Sequence, residues 1–317
     1  MTSYRRGSMG EEVRQFQEKL KESHLYPGPV DGIFGGGTEG AVRAFQSRAG
    51  LDPGGIVGQE TWKRLFPQQA GMPAPRISTE SLEYRCLALT GSFETSQPPP
   101  DCFAGLTGDF DGQGISFGAL QWNLGQGSLQ PLWQEMAEQH ANVLQEIFGE
   151  HYSEFQTVLR SNKEEQLDWA RSIQDQKFRL HEPWRGMFKT LGRRLEFQEI
   201  QLKYAREIYR TALRWCADYG VKTERAAALL YDIRVQNGSI SEAVKSQILR
   251  DFSHIALADE VPRLSIIANR RAEAAKKEYM EDVRTRKLTI ARGEGQVHGR
   301  HYQLESQYGI GLTPMEL

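Results

Sequence analysis

The sequence predicts a mainly α protein: a small three-helix module, then a larger helical domain with a small β/loop insert. Three observations predict it. Apolar residues recur at helical spacing over most of the chain. A Val-Arg-x-Phe-Gln segment and a glycine-rich turn each occur twice in the first seventy residues. One stretch, 95–128, breaks the helical pattern with Pro98, Pro99, Pro100 and a run of glycines between Gly105 and Gly127.

At 317 residues the chain has room for two cores. Charged residues make up 25% and the net charge is −2, with both signs interspersed. Neither a nucleic-acid groove nor an anionic membrane surface is indicated, and no run is long and apolar enough to span a bilayer. The segment "MTSYRRGSMGEE" lacks the apolar core of a secretory signal. If the protein acts outside the cytoplasm, something else must carry or release it. A monomer is expected.

In the first module, Val13-Arg14-Gln15-Phe16-Gln17 recurs as Val42-Arg43-Ala44-Phe45-Gln46. "DGIFGGGT" (Asp31 to Thr38) is echoed by "GGIVGQET" (Gly54 to Thr61). The periodicity predicts helices over 10–23, 38–49 and 58–66. Pro27 and Pro29 make the first connection a turn, and Thr38 fits the N-cap of the second helix. Residues 69–76, with Pro73 and Pro75, read as an extended spacer.

Beyond it, Ser78 or Thr79 would cap a helix running to about 92. A long helix is expected over 129–149, and others near 151–160, 164–176, 194–219, 223–235, 241–251 and 260–286. The charged run 270–290 reads as a solvated face to which Ala274, Tyr279, Val283 and Leu288 add packing. Long irregular inserts in compact domains are usually functional, which singles out 95–128. The division is therefore 1–68, a linker at 69–76, and 77–317.

The insert carries Asp109 and Asp111 in "GDFDGQGISFGALQWN", and Glu94 closes the helix before it. Two carboxyls across a cleft are what glycoside hydrolysis needs, one protonated to serve the leaving oxygen and one ionised. The apolar surroundings of Glu94, next to Phe93, would keep it protonated; Asp111 sits among glycine N–H groups. Among 41 acidic residues, spacing alone does not select a pair. Gln121, Trp122 and Asn123 could bind sugar, or Trp122 could pack in the core. Gln236 and Asn237 could do the same from a late helix end, or Asn237-Gly238 could simply cap it.

Two resemblances add to this reading. Residues Gly7 to Phe66, through "PGPVDGIFGGGTEGAVRAFQ" and "GLDPGGIVGQETWKRLF", strongly resemble the peptidoglycan-binding domain found at the ends of many cell-wall hydrolases. That implies a three-helix wall-binding module, in which Asp31, Phe34 and Thr38 either touch the wall or merely build the turn. "LTGSFETS" followed by "DFDGQGISFGALQW" resembles the active-site segment of the lysozyme-like superfamily and is nearest the chitosanase pattern. This implies an α+β lysozyme-like catalytic domain, Glu94 as general acid, Asp111 as general base with Asp109 as the next choice, and Ser116 as the hydroxyl that helps hold water. Gln113 departs from the chitosanase arginine, and Phe117-Gly118-Ala119-Leu120-Gln121 is closer to goose-type lysozymes.

The expected activity is therefore an inverting muramidase acting on peptidoglycan, without cofactor or metal, released through a holin pore or delivered by a secretion apparatus. The rivals are a chitosanase and a non-catalytic wall-docking protein. His298 and His301 read as part of a flexible basic loop rather than metal ligands. Cys86, Cys102 and Cys216 read as thiols, a Cys86–Cys102 bridge being the alternative.

Overall fold

The computed structural model describes residues 3–6, 8, 10–69, 71–72, 76–256 and 259–315. Gly7 and part of the expected spacer, including Pro73 and Pro75, lie outside the described residues. The protein is mainly helical with small sheets. Helices α1 (Glu11–Glu22), α2 (Gly36–Arg48) and α3 (Gln59–Leu65) come first, then α4 (Leu82–Thr95). Strands β1 (Leu106–Thr107), β2 (Ser116–Phe117) and β3 (Trp122–Asn123) follow. Next come α5 (Gln130–Gln139), α6 (Ala141–Phe148), α7 (Tyr152–Arg160), α8 (Lys163–Ser172), α9 (Trp184–Arg193) and α10 (Leu195–Tyr219). The chain ends with α11 (Glu224–Asn237), α12 (Glu242–Phe252), α13 (Glu260–Glu273), α14 (Met280–Arg292), a hairpin of β4 (Glu294–Val297) and β5 (Arg300–Gln303), and α15 (Leu304–Tyr308). By packing it divides into two compact units: 1–86 with 209–317, and 87–208.

In the first unit, α1–α3 close over Tyr4, Phe16, Phe34, Val42, Val57 and Trp62. The sequence repeat is a structural repeat. Gln17 Nε2 donates to Ile33 O (3.0 Å) and Thr38 Oγ1 (3.1 Å), while Gln17 Oε1 accepts from Gly32 N at 2.8 Å. Gln46 Nε2 donates to Ile56 O (2.8 Å) and Thr61 Oγ1 (3.0 Å), while Gln46 Oε1 accepts from Gly55 N at 2.9 Å. Each buried glutamine thus satisfies the backbone of one glycine turn. Thr38 is not the expected cap: Gly35 holds that position without a side-chain bond, and Thr38 lies inside α2 as the acceptor for Gln17.

The same unit holds a buried ionic cluster. Asp232 on α11 receives bonds from Arg286 Nη2 (2.7 Å) and Nε (3.0 Å), and from Lys287 Nζ. Lys287 also donates to Gln236 Oε1 at 2.7 Å. Burial alone would push the Asp232 carboxyl up; the two cations overturn that and hold it well below the ordinary carboxylate range. The charged run is therefore not wholly a solvated face. Arg286 and Lys287 are buried because Asp232 compensates them, whereas Ala274 and Tyr279 are exposed.

The second unit is centred on aromatic side chains. Phe148 stacks on Phe155 at 4.4 Å and Trp133 on Phe188 at 5.3 Å. Phe117, from the middle strand, stacks on Phe197 at 5.4 Å. That one side chain ties the small sheet to the helices, at roughly 0.5–1.5 kcal/mol per aromatic pair beyond the area buried.

Other expectations are corrected. The 129–149 helix is two helices, broken at His140, and the break lets Leu132 and Trp133 in α5 and Leu144 and Phe148 in α6 all reach the core. The 260–286 helix is also two, α13 and α14, packed against each other so that Leu264, Ile267 and Ile290 are buried. Ser81, not Ser78 or Thr79, receives the backbone N–H of Tyr84 near the start of α4 (3.2 Å). Helix α9 was not expected, because Pro183, Gly186 and Gly192 obscure its apolar face; Gly192 is where the backbone meets Ala104 too closely for a side chain. The flexible basic loop is the β4–β5 hairpin, turning at His298 (φ 48°) and Gly299 (φ 76°). Cys86, Cys102 and Cys216 are free and buried.

Candidate active site

The helix carrying Glu94 is docked on the sheet that carries the acidic loop. A side chain at Gly91 would meet Ala119 at 2.8 Å, and one at Gly105 would meet Thr95 at 2.3 Å and Gln121 at 2.7 Å. The last turn of α4 therefore lies directly against the β1 entry and the β2–β3 turn. Phe93 is fully buried there, while Glu94 is exposed. The expected apolar surround of Glu94 is not present in the free protein.

The sheet is a three-stranded antiparallel meander with Ser116 opposite both Thr107 and Asn123. Gly118 N donates to Gly105 O at 2.8 Å. Gln201, fully buried on α10, accepts from Ala119 N (2.8 Å) and donates to Phe103 O (3.0 Å). It fixes the β2–β3 turn, and nothing in its local sequence distinguishes it from a surface glutamine.

The loop between β1 and β2 separates its two acids by role. Asp109 Oδ1 accepts from Gly114 N at 2.6 Å, its Oδ2 from Arg171 Nε at 2.7 Å, and its own N–H donates to Gln174 Oε1 at 2.8 Å. Asp111 makes a shorter-range contact, accepting from Gln113 N at 3.1 Å, and is exposed. Asp109 spans the loop and Asp111 faces solvent from it. Gly112 and Gly114 have φ of 80° and 78°, which lets the loop turn between them.

The remaining expected residues are placed as follows. Ser116 is buried in β2. Gln121 uses its amide inside the sheet, accepting from Thr107 Oγ1 at 2.8 Å and donating to Gly118 O at 2.9 Å. Trp122 is part-buried against the core, and Asn123 Oδ1 accepts from Gln126 N at 2.8 Å to shape the following turn. In the other unit, Gln236 accepts from Lys287, and Asn237 ends α11 before Gly238 (φ 80°). Phe34 is in the module core and Thr38 is buried; Asp31 Oδ1 accepts from Gln17 Nε2 (3.0 Å) and Ile33 N (2.9 Å). Among the described residues, no group of three or more His, Cys, Asp or Glu could hold a metal ion. His298 contacts Asp282 at 3.0 Å. No helix among them is long and apolar enough to cross a membrane.

Residues 9–65 match the family model described as "Putative peptidoglycan binding domain". The resemblance of the first module to that domain is borne out. The chain is 45% identical over 60 residues to the spore cortex-lytic enzyme of Bacillus cereus, which is 19% of this chain and 23% of that enzyme. It is 40% identical over 62 residues to the Bacillus subtilis spore cortex-lytic enzyme, 19% of this chain and 20% of the relative. A zinc D-Ala-D-Ala carboxypeptidase of Streptomyces albus G is 41% identical over 85 residues, 25% and 32% of the two chains. The chain thus spans less than a quarter of the length of those cortex-lytic enzymes. Among solved structures, a Gynuella sunshinyii GH46 chitosanase in complex with chitotetraose is similar at a TM-score of 0.43 and 13% identity, over 70% of this chain and 97% of that one. A native chitosanase from Bacillus subtilis is similar at 0.41 and 18%, over 68% and 87%.

Proposed function

We propose that the protein is a cell-wall hydrolase that cleaves the glycan backbone of peptidoglycan. In this reading residues 1–68 hold the enzyme on the wall and residues 77–317 form a lysozyme-like catalytic domain. Glu94 gives its proton to the glycosidic oxygen. Asp111 takes a proton from the attacking water, and Ser116 helps to hold that water. The observation that carries the reading is the docking of the last turn of α4 on the sheet whose loop bears Asp111. It joins the two carboxyl-bearing segments, and both acids are exposed. The match of 9–65 to a peptidoglycan-binding family supports the choice of polymer.

Glu94 is exposed in the free protein, and in this reading a bound sugar chain would cover it. Inversion requires a gap of roughly 6.5–9.5 Å between the carboxyls, with water between them. We favour cleavage after N-acetylmuramic acid. Mass spectrometry of digested sacculi tests this: a new N-acetylmuramic acid reducing end supports it, and products cut only at amide bonds contradict it. The anomer formed first, read by NMR, separates inversion from retention.

A further inference from the structure

All 14 phenylalanines lie among the described residues, and of these only Phe110 and Phe178 are exposed, at 64% and 45%. The backbone segments that carry them are neighbours in space. Gly108 lies so close to the Phe178 backbone that a side chain there would meet the Phe178 carbonyl oxygen at 2.1 Å, and Phe110 N donates to Gly108 O at 3.0 Å.

Both residues sit on hydrogen-bonded turns. Phe110 sits between Asp109, clamped by Gly114, Arg171 and Gln174, and Asp111. Phe178 sits on a tight turn in which Asp175 Oδ1 accepts from Lys177 N (2.8 Å) and Arg179 N (2.9 Å). Its φ of 59° is a left-handed conformation uncommon for a bulky residue. Gln174 accepts from Asp109 N at 2.8 Å and so joins that turn to the acidic loop.

We propose that Phe110 and Phe178 form a sugar-stacking platform that receives the glycan strand beside Asp111. The inference rests on the reading of Glu94 and Asp111 as the cleaving pair and adds the residues that seat the polymer. A pyranose ring presents C–H bonds on its face and hydroxyl and N-acetyl groups at its rim. Two exposed aromatic side chains, on segments that also carry the polar Arg171, Gln174 and Arg179, offer both features. A second copy of the chain is a poorer occupant, because two rings offer about 150–250 Å² each against the roughly 1,200–2,000 Å² of a stable interface.

The test uses the full chain with peptide-free peptidoglycan glycan strands. Phe110→Ala/Phe178→Asn removes both rings, and asparagine tolerates the left-handed backbone; Leu195→Ala, an exposed apolar residue of the same unit, is the control. Initial rates should show KM raised about 10-fold with kcat within about twofold, and the control unchanged. Titrations of Glu94→Gln with and without the double substitution should show the same loss of affinity. Normal KM in a protein that still cleaves overturns the platform and leaves the cleavage reading intact. No turnover by wild type, with affinity still lost in the double variant, keeps the platform and removes the cleavage reading. A dimer that the double variant abolishes assigns the rings to self-association and overturns the proposal.

Discussion

Asp109 and Arg171 are joined by a 2.7 Å bond that ties the acidic loop to α8, leaving Asp111 as the acid that the loop presents to solvent. The two aspartates should therefore respond differently to the same change. Asp109→Asn disrupts a charge-assisted bond and the Gly114 contact, and should lower the melting temperature. Asp111→Asn is a surface change worth less than about 0.5 kcal/mol, yet it should reduce kcat by about 10²–10⁴-fold. Thermal denaturation alongside initial rates separates the roles; a stable, inactive Asp109→Asn would reverse them.

The buried Asp232 should dominate the acid stability of its unit. Its carboxyl is held below the ordinary range, so the stabilisation is fully present above the unfolded value of about 3.9 and fades as pH falls towards the folded one. Asp232→Asn removes the carboxylate that compensates the buried Arg286 and Lys287 and should cost about 3–5 kcal/mol near neutral pH. The gap between wild type and variant should narrow below about pH 4. A gap independent of pH would mean that lost packing, not charge, explains the cost.

Gln17 and Gln46 share three equivalent bonds to their glycine turns, and Gln17 also donates to Asp31. Gln17→Ala and Gln46→Ala should each destabilise the module by about 1.5–4.5 kcal/mol, the sum of three bonds at about 0.5–1.5 kcal/mol each. Denaturant titration followed by circular dichroism measures this. Equal losses in the two variants would reflect the structural repeat; a loss in only one would limit the clamp to that turn.

Burial pushes all three thiols up, Cys216 to about 12. In native protein at pH 8, a thiol reagent should label none of them within minutes. After denaturation it should label all three, with the same count whether or not a reductant was present. A reductant-dependent count would reveal a Cys86–Cys102 bridge.

The helical architecture and the three-helix module were legible because long amphipathic runs and a repeated turn survive without tertiary context. The break at His140 was not, since neither proline nor glycine marks it and packing alone sets the bend. Helix α9 was hidden because Gly186 and Gly192 interrupt its apolar face, the second being demanded by Ala104 from a distant segment. Arg286 and Lys287 read as surface charges because the carboxylate that lets them be buried lies far away in sequence. At the candidate site, Glu94 at a helix end and the Asp109–Asp111 loop could be read locally. That Asp109 is tied into the loop while Asp111 is exposed depends on Arg171 and Gln174 from α8 and the turn after it, and Phe110 gave no sign in the sequence of being exposed.

Release of reducing sugar from purified peptidoglycan by wild type and by Glu94→Gln, with folding matched by circular dichroism, tests the central claim most directly. Glycan cleavage by a Glu94 general acid predicts steady release by wild type and a loss of about 10²–10⁴-fold in the variant. Equal release by both proteins, or none by a folded wild type, would contradict it.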